Sequence, residues 1–217
     1  MKINITVPEH MSEITLEQYQ RYEKINTKDN QDSNFLLHKT VEIFCNLDLE
    51  NIAKIRYKDV ADIIGDLNQV FQQKTELITK FKLNNLEYGF IPKLDDISLG
   101  EYIDLDNNLT NWDTMHKAMS VLFRRVILKK GPRYQIADYT GKEDADLFKQ
   151  MPLDVVMGAL VFFYNLSKEL TIITQNYLVK EVGQNLTSAQ RQLLAKSGDG
   201  INRSMVSLKA TLLGLTP

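Results

Sequence analysis

With 217 residues, 43% of them hydrophobic and 25% charged, the chain can bury a substantial core as one large domain or two small ones. Its 26 Lys and Arg against 28 Asp and Glu give a formal net charge of −2, which excludes a general attraction to nucleic acid or to an anionic membrane. A single cysteine, Cys45, excludes an internal disulfide framework and fits a reducing compartment.

The first residues, MKINITVPEH, lack an apolar run of signal-peptide length, and no stretch approaches the ~18 apolar residues a membrane span needs. The chain is therefore expected to be soluble and intracellular. Residues 2–7 alternate like a strand and end at Pro8. Thr15-Leu16-Glu17-Gln18-Tyr19 follows, with Thr15 as N-cap and Gln18 placed to reach back to the cap, so a helix is predicted over 16–25. After a polar loop at 26–34, Leu37, Val41 and Phe44 predict an amphipathic helix over 35–46, and residues 49–55 add a further turn or two. Residues 59–81 carry Val60, Ile63, Ile64, Leu67, Val70 and Phe71 on one stripe, then Leu77, Ile78 and Phe81. They predict one long helix, with Gly65 as a point of weakness or close contact.

A second strand, turn and capped helix begins at residue 88. Residues 88–91 alternate and end at Pro92, and Ser98 with Glu101 repeats the capping box. Met115, Met119, Leu122 and Phe123 predict a helix over 112–126, and Trp112, Tyr102 and Phe123 are expected as core anchors. The shared order of landmarks in 1–82 and 88–182 fits a duplicated helical unit. Residues 124–139 break the pattern: Val126 and Leu128 alternate with basic residues, and Gly131-Pro132 divides two extended arms, so a β-hairpin is predicted. Pro152 sits in the first turn of a helix predicted over 153–177, apolar nearly all round until Asn165 and expected to be the buried central helix. Beyond residue 183, Thr187 and Gln190 form a third box, and Ile201, Met205, Leu208 and Leu212 mark an amphipathic tail suited to docking on its own domain or a neighbouring subunit. The expected fold is mainly α: a helical bundle over 1–182, with a short N-terminal strand, a β-hairpin and a helical tail at 183–217.

Little in the sequence points to catalysis. The histidines, His10, His38 and His116, are too far apart for a local metal motif, and His38 and His116 are expected at the surface or at caps. Cys45 sits among apolar residues as a small core side chain. No nucleophile elbow or phosphate-binding glycine loop occurs. The acids Asp95, Asp96, Glu101, Asp104 and Asp106 do not follow calcium-loop spacing, and Asp95 and Asp96 read as complements to the positive end of the next helix. Arg124, Arg125, Lys129, Lys130 and Arg133 form the one local concentration of charge, with no acid among residues 123–135. They read as a solvated hairpin or a surface for an acidic protein partner, with nucleic acid as the lesser alternative. No catalytic, cofactor-binding or metal-binding residue is assigned.

Four phrases, ITLEQYQRYEKI (14–25), GFIPKLDDISLGEYIDLD (89–106), WDTMHKAMSVLFRRV (112–126) and MPLDVVMGALVFFYNL (151–166), resemble proteins of the structural modules of tailed bacteriophages, of the kind called tail assembly chaperones or virion-associated proteins. The resemblance covers most of 14–166 and rests on scaffold residues. It implies a non-enzymatic morphogenesis protein in the cytoplasm of an infected bacterium, binding tape-measure helices until the tail tube polymerises. The alternative it implies is a permanent virion component, a connector or tail subunit that contacts neighbouring copies or DNA. Homo-oligomerisation through the C-terminal tail fits either reading.

Overall fold

The computed structural model describes residues 4–30, 33–141 and 144–177. Residues 183–217, with the Thr187 cap and the stripe of Ile201, Met205, Leu208 and Leu212, lie outside the described residues, as does the start of the expected N-terminal strand.

Seven α-helices and one four-stranded antiparallel sheet make up the described chain: α1 Leu16–Ile25, α2 Asn34–Cys45, α3 Leu49–Ile52, α4 Tyr57–Phe71, β1 Lys80–Leu83, β2 Leu86–Phe90, α5 Leu99–Asn108, α6 Met115–Leu122, β3 Phe123–Lys130, β4 Arg133–Ile136 and α7 Leu153–Tyr177. This is an α+β fold and corrects the expected helical bundle. The difference has three local causes. After Phe71, the run Gln72-Gln73-Lys74-Thr75-Glu76 interrupts the apolar stripe, so α4 ends there and the predicted continuation to residue 81 does not form. Phe81 and Leu83 then follow a two-residue period, and Asn84 and Asn85, both at positive φ, close β1 onto β2 as a two-residue hairpin turn. Finally, α6 stops at Leu122, four residues before its predicted end. The chain passes directly into β3, where Phe123, Arg124 and Arg125 pair with Phe90, Gly89 and Tyr88.

Residues 4–8 form no strand, so the expected strand before Pro8 is absent from the described residues. Its place as a structural partner is taken by a small two-way clamp. Thr15 bridges Pro152, the Leu16 N–H donates to the Met151 carbonyl at 2.9 Å, and the Leu153 N–H donates to the Ile14 carbonyl at 2.9 Å. Ile14, Leu16, Met151, Leu153 and Val156 around this clamp have no exposed surface and form the centre of the core.

Two aromatic groups extend that core. Tyr19, Tyr22, Phe44, Phe71 and Trp112 gather around α1, with Tyr19 and Trp112 ring centroids 4.6 Å apart. On the inner face of the sheet, Phe81, Tyr88, Phe90 and Phe123 pack with Phe148 and Phe162. The first two turns of α7 are its most buried part among the described residues. Leu153 through Leu160 meet the core and Phe162, Phe163 and Tyr164 pack half-buried against it, whereas Asn165, Ile172 and Ile173 face outward. Gly158 lets the backbone at Glu76 and Leu77 lie against α7, since any side chain there would overlap the Glu76 carbonyl. Gly65, in contrast, sits in open space within an unbroken α4, and the close contact considered there does not occur.

Candidate functional site

The basic hairpin leaves the sheet as an arm. β3 pairs with β2 only through residues 123–125; beyond them it pairs with β4 alone, and the register slips between Val126 and Leu128. Such a bulge twists and re-aims a strand. Ile127 and Leu128 emerge 61% and 56% exposed, an unusual state for two adjacent large apolar residues. Gly131, at φ 61°, makes the turn before Pro132. What anchors the arm is Tyr134. Its ring crosses β3 and lies over Gly89, where an added Cβ would sit 2.5 Å from the tyrosine Cε2, and its hydroxyl donates to the Phe90 carbonyl at 2.8 Å. The Lys80 Nζ lies 5.5 Å from the same ring centroid. Burial pushes the Tyr134 phenol above its ordinary value.

The five basic residues of this stretch separate into two sets. Arg124 donates from Nη2 to Glu101 Oε1 at 2.8 Å, with side chains only 11% and 7% exposed. Lys129 pairs with Glu87, whose carboxyl it holds below the usual carboxylate range. The acids that neutralise them come from α5 and β2, and so were invisible within residues 123–135. Arg125, Lys130 and Arg133 have no ion pair among the described residues.

Between the arm, residues 90–98 and the start of α5 runs an open groove of about 1540 Å³. Phe90, Ile97, Ile127, Ile136 and Phe162 supply its apolar lining, and Lys93, Asp95 and Arg133 add charge. Its α5 wall is fixed by the predicted capping box. The Ser98 hydroxyl accepts from the Glu101 N–H at 3.3 Å, Glu101 accepts from the Ser98 N–H at 2.6 Å, and the other Glu101 oxygen holds Arg124. At the first box the Thr15 hydroxyl accepts from the Gln18 N–H at 3.2 Å, Gln18 Oε1 accepts from the Thr15 N–H at 2.9 Å, and Gln18 Nε2 donates to the Ile43 carbonyl at 2.7 Å. Of the remaining acids, Asp104 accepts from the Tyr139 hydroxyl and Asp96 pairs with Lys93 at 3.4 Å.

Tyr102, expected in the core, is 56% exposed, while Phe123 is fully buried and Trp112 packs against the core. Leu99, Tyr102 and Ile103 together form an outward apolar face on α5 that sequence reading missed: their three- and four-residue spacing is also that of a buried helix face, and nothing in the sequence marks which way the helix turns. His116 is likewise buried, not at the surface. Gln20 Nε2 donates to the Trp112 carbonyl at 2.5 Å and lies 3.1 Å from His116 Nδ1, which makes Nδ1 an acceptor and places the ring proton on Nε2. Burial, helped by Lys149, Lys117 and Lys24 and opposed by Asp146, holds the ring below its ordinary value of 6.5. His10 and His38 are exposed. Cys45 is buried, which pushes its thiol up to about 11 and disfavours a thiolate.

No group of three His, Cys, Asp or Glu side chains among the described residues is arranged to hold a metal ion, and no helix among them is long and apolar enough to cross a membrane. Binding is the chemistry this surface offers: apolar contact, a paired arginine at the wall and unpaired cations at the arm tip. Comparison with protein-family models, curated proteins and solved structures gave no match.

Proposed function

We propose that the chain is a non-enzymatic morphogenesis protein of a tailed bacteriophage, acting in the infected cytoplasm as an assembly chaperone for tape-measure helices. One observation supports this most: large apolar side chains stand exposed on two neighbouring elements, Ile127 and Leu128 on the arm, where Ile127 lines the groove, and Leu99, Tyr102 and Ile103 on the outer face of α5, whose first turn lines it. Exposed apolar surface rimmed by charge is suited to holding amphipathic helices of another polypeptide. The experiment is co-expression of this protein with a phage tape-measure protein, with soluble tape-measure protein as the readout. The full chain should raise its soluble yield, and Tyr102→Asp combined with Ile127→Asp should remove the gain. An equal yield with and without the full chain would overturn the reading.

A second reading, a permanent virion subunit, draws on the arm itself. A projecting hairpin whose Arg125, Lys130 and Arg133 lack internal partners is suited to reaching an acidic neighbour or packaged DNA. Mass spectrometry of purified particles separates the two. A chaperone is absent from the particles, and a subunit is present in stoichiometric amount.

A further inference from the structure

The outer face of α5 combines three features. Leu99, Tyr102 and Ile103 are exposed on one side of the helix, and Asp106 extends the same stripe by a turn, at steps of three, four and seven residues from Leu99. The surroundings are acidic: residues 94–113 hold six Asp or Glu and no Lys, Arg or His. Glu101 and Asp113 are turned to Arg124 and Lys24, whereas Asp95 and Asp106 have no ion pair among the described residues.

The chain itself carries a segment of matching chemistry. Residues 178–217 contain five Lys or Arg and two Asp or Glu, a net +3 within a chain of net −2, so the part before them carries −5. Ile201, Met205, Leu208 and Leu212 recur at steps of four, three and four, the spacing of one apolar helix stripe, and Lys209 borders it. Reach does not limit the pairing. Residues 178–200 connect the end of α7 to Ile201, and a link of that length spans up to ~75 Å when extended. A domain of this size is only ~40 Å across.

We propose that the outer face of α5 is the docking site for residues 201–213 of the same molecule, with the apolar stripe on Leu99, Tyr102 and Ile103 and Lys209 against the acidic rim. This holds whether or not the protein serves virus assembly. The tail then occupies an apolar face that a partner helix must compete for, and its tether gives it an effective concentration in the millimolar range.

The test uses the full chain with two new cysteines, Asn107→Cys beside the face and Ser204→Cys beside the stripe, joined by a short bismaleimide; the buried Cys45 stays silent. Asn107 is exposed, so the fold is not at risk. The expected product is a cross-link at monomer mass. Adding Tyr102→Asp, or Leu208→Asp with Leu212→Asp, lowers its yield about tenfold, the effect of losing 1.4 kcal/mol. A control pair, Asp62→Cys on the exposed side of α4 with Ser204→Cys, links far less. Equal linking by the control pair, a yield unmoved by the substitutions, or a product at dimer mass would each overturn the proposal, the last by assigning the face to a second copy.

Discussion

α1 and α5 start on one motif and finish in opposite surroundings. Thr15-Leu16-Glu17-Gln18-Tyr19 and Ser98-Leu99-Gly100-Glu101-Tyr102 place leucine, capping partner and tyrosine at the same helical positions, and both boxes close. Leu16 and Tyr19 are 0% and 1% exposed, whereas Leu99 and Tyr102 are 74% and 56% exposed. The residue three after the cap separates them by its second contact. Gln18 has a spare amide donor and spends it on the Ile43 carbonyl, which draws α1 beneath α2. Glu101 has a spare oxygen and pairs it with Arg124 on the sheet, on the side of α5 opposite its exposed leucine and tyrosine. In both helices the box marks the start, and the buried capping partner reaches a second contact, while the leucine and tyrosine beside it are buried in one helix and exposed in the other.

The comparison can be broken most strongly at the charged contact. Arg124→Ala leaves Glu101 almost buried without its partner and should cost about 3–5 kcal/mol of unfolding free energy in urea titrations. Arg125→Ala, on the same strand but exposed and unpaired, should stay within ~0.5 kcal/mol. Next come the paired leucines. Leu16→Ala should destabilise by about 2–5 kcal/mol and Leu99→Ala by no more than the ~1.4 kcal/mol that loss of its contact with the docked tail would cost; similar losses would mean that the two faces are alike in solution. Gly89→Ala pushes Tyr134 off the sheet and should cost ~1–3 kcal/mol, read by the same titration and by faster hydrogen exchange at the arm. The boxes themselves should be equal: Thr15→Ala and Ser98→Ala should each cost ~1 kcal/mol and add in the double variant, since the two sites share no partner.

The smallest effect concerns pH. His116 lies beside Gln20 of α1 and has no counterpart near α5. Its folded-state value is lowered from 6.5, so the fold prefers the neutral ring. That contribution is complete above pH 6.5 and is lost as pH falls through the lowered value, because the unfolded chain then binds the extra proton. His116→Asn, which keeps an acceptor near Nδ1, should flatten the loss of stability below pH 6.5 relative to the wild-type chain. Parallel slopes for the two proteins would show that the ring is not held neutral.

Much of the local structure was legible. α1, both capping boxes, the arm hairpin and the span of α7 each rest on signals within a few residues. What was not legible depended on distant partners. Phe81 fits a helical stripe as well as a strand until Asn84 and Asn85 bend β1 onto β2, and Phe123 leaves a helical pattern because Phe90 is waiting across the sheet. At the candidate surface the basic residues stand together in the sequence, yet Glu101 and Glu87 neutralise two of them from other elements. Tyr102 could not be placed from the sequence, because its spacing is the same whether the helix face points in or out.

The clamp of Thr15 and Pro152 bears on synthesis. The N-terminal capping box belongs to an arrangement completed only by Met151 and Leu153, so the first helix leaves the ribosome long before its anchoring backbone exists. Until α7 emerges, Ile14 and Leu16 lack the backbone that pairs with them. The nascent chain must therefore travel most of its length with its future centre uncovered, and a truncation before residue 151 should aggregate as it is made.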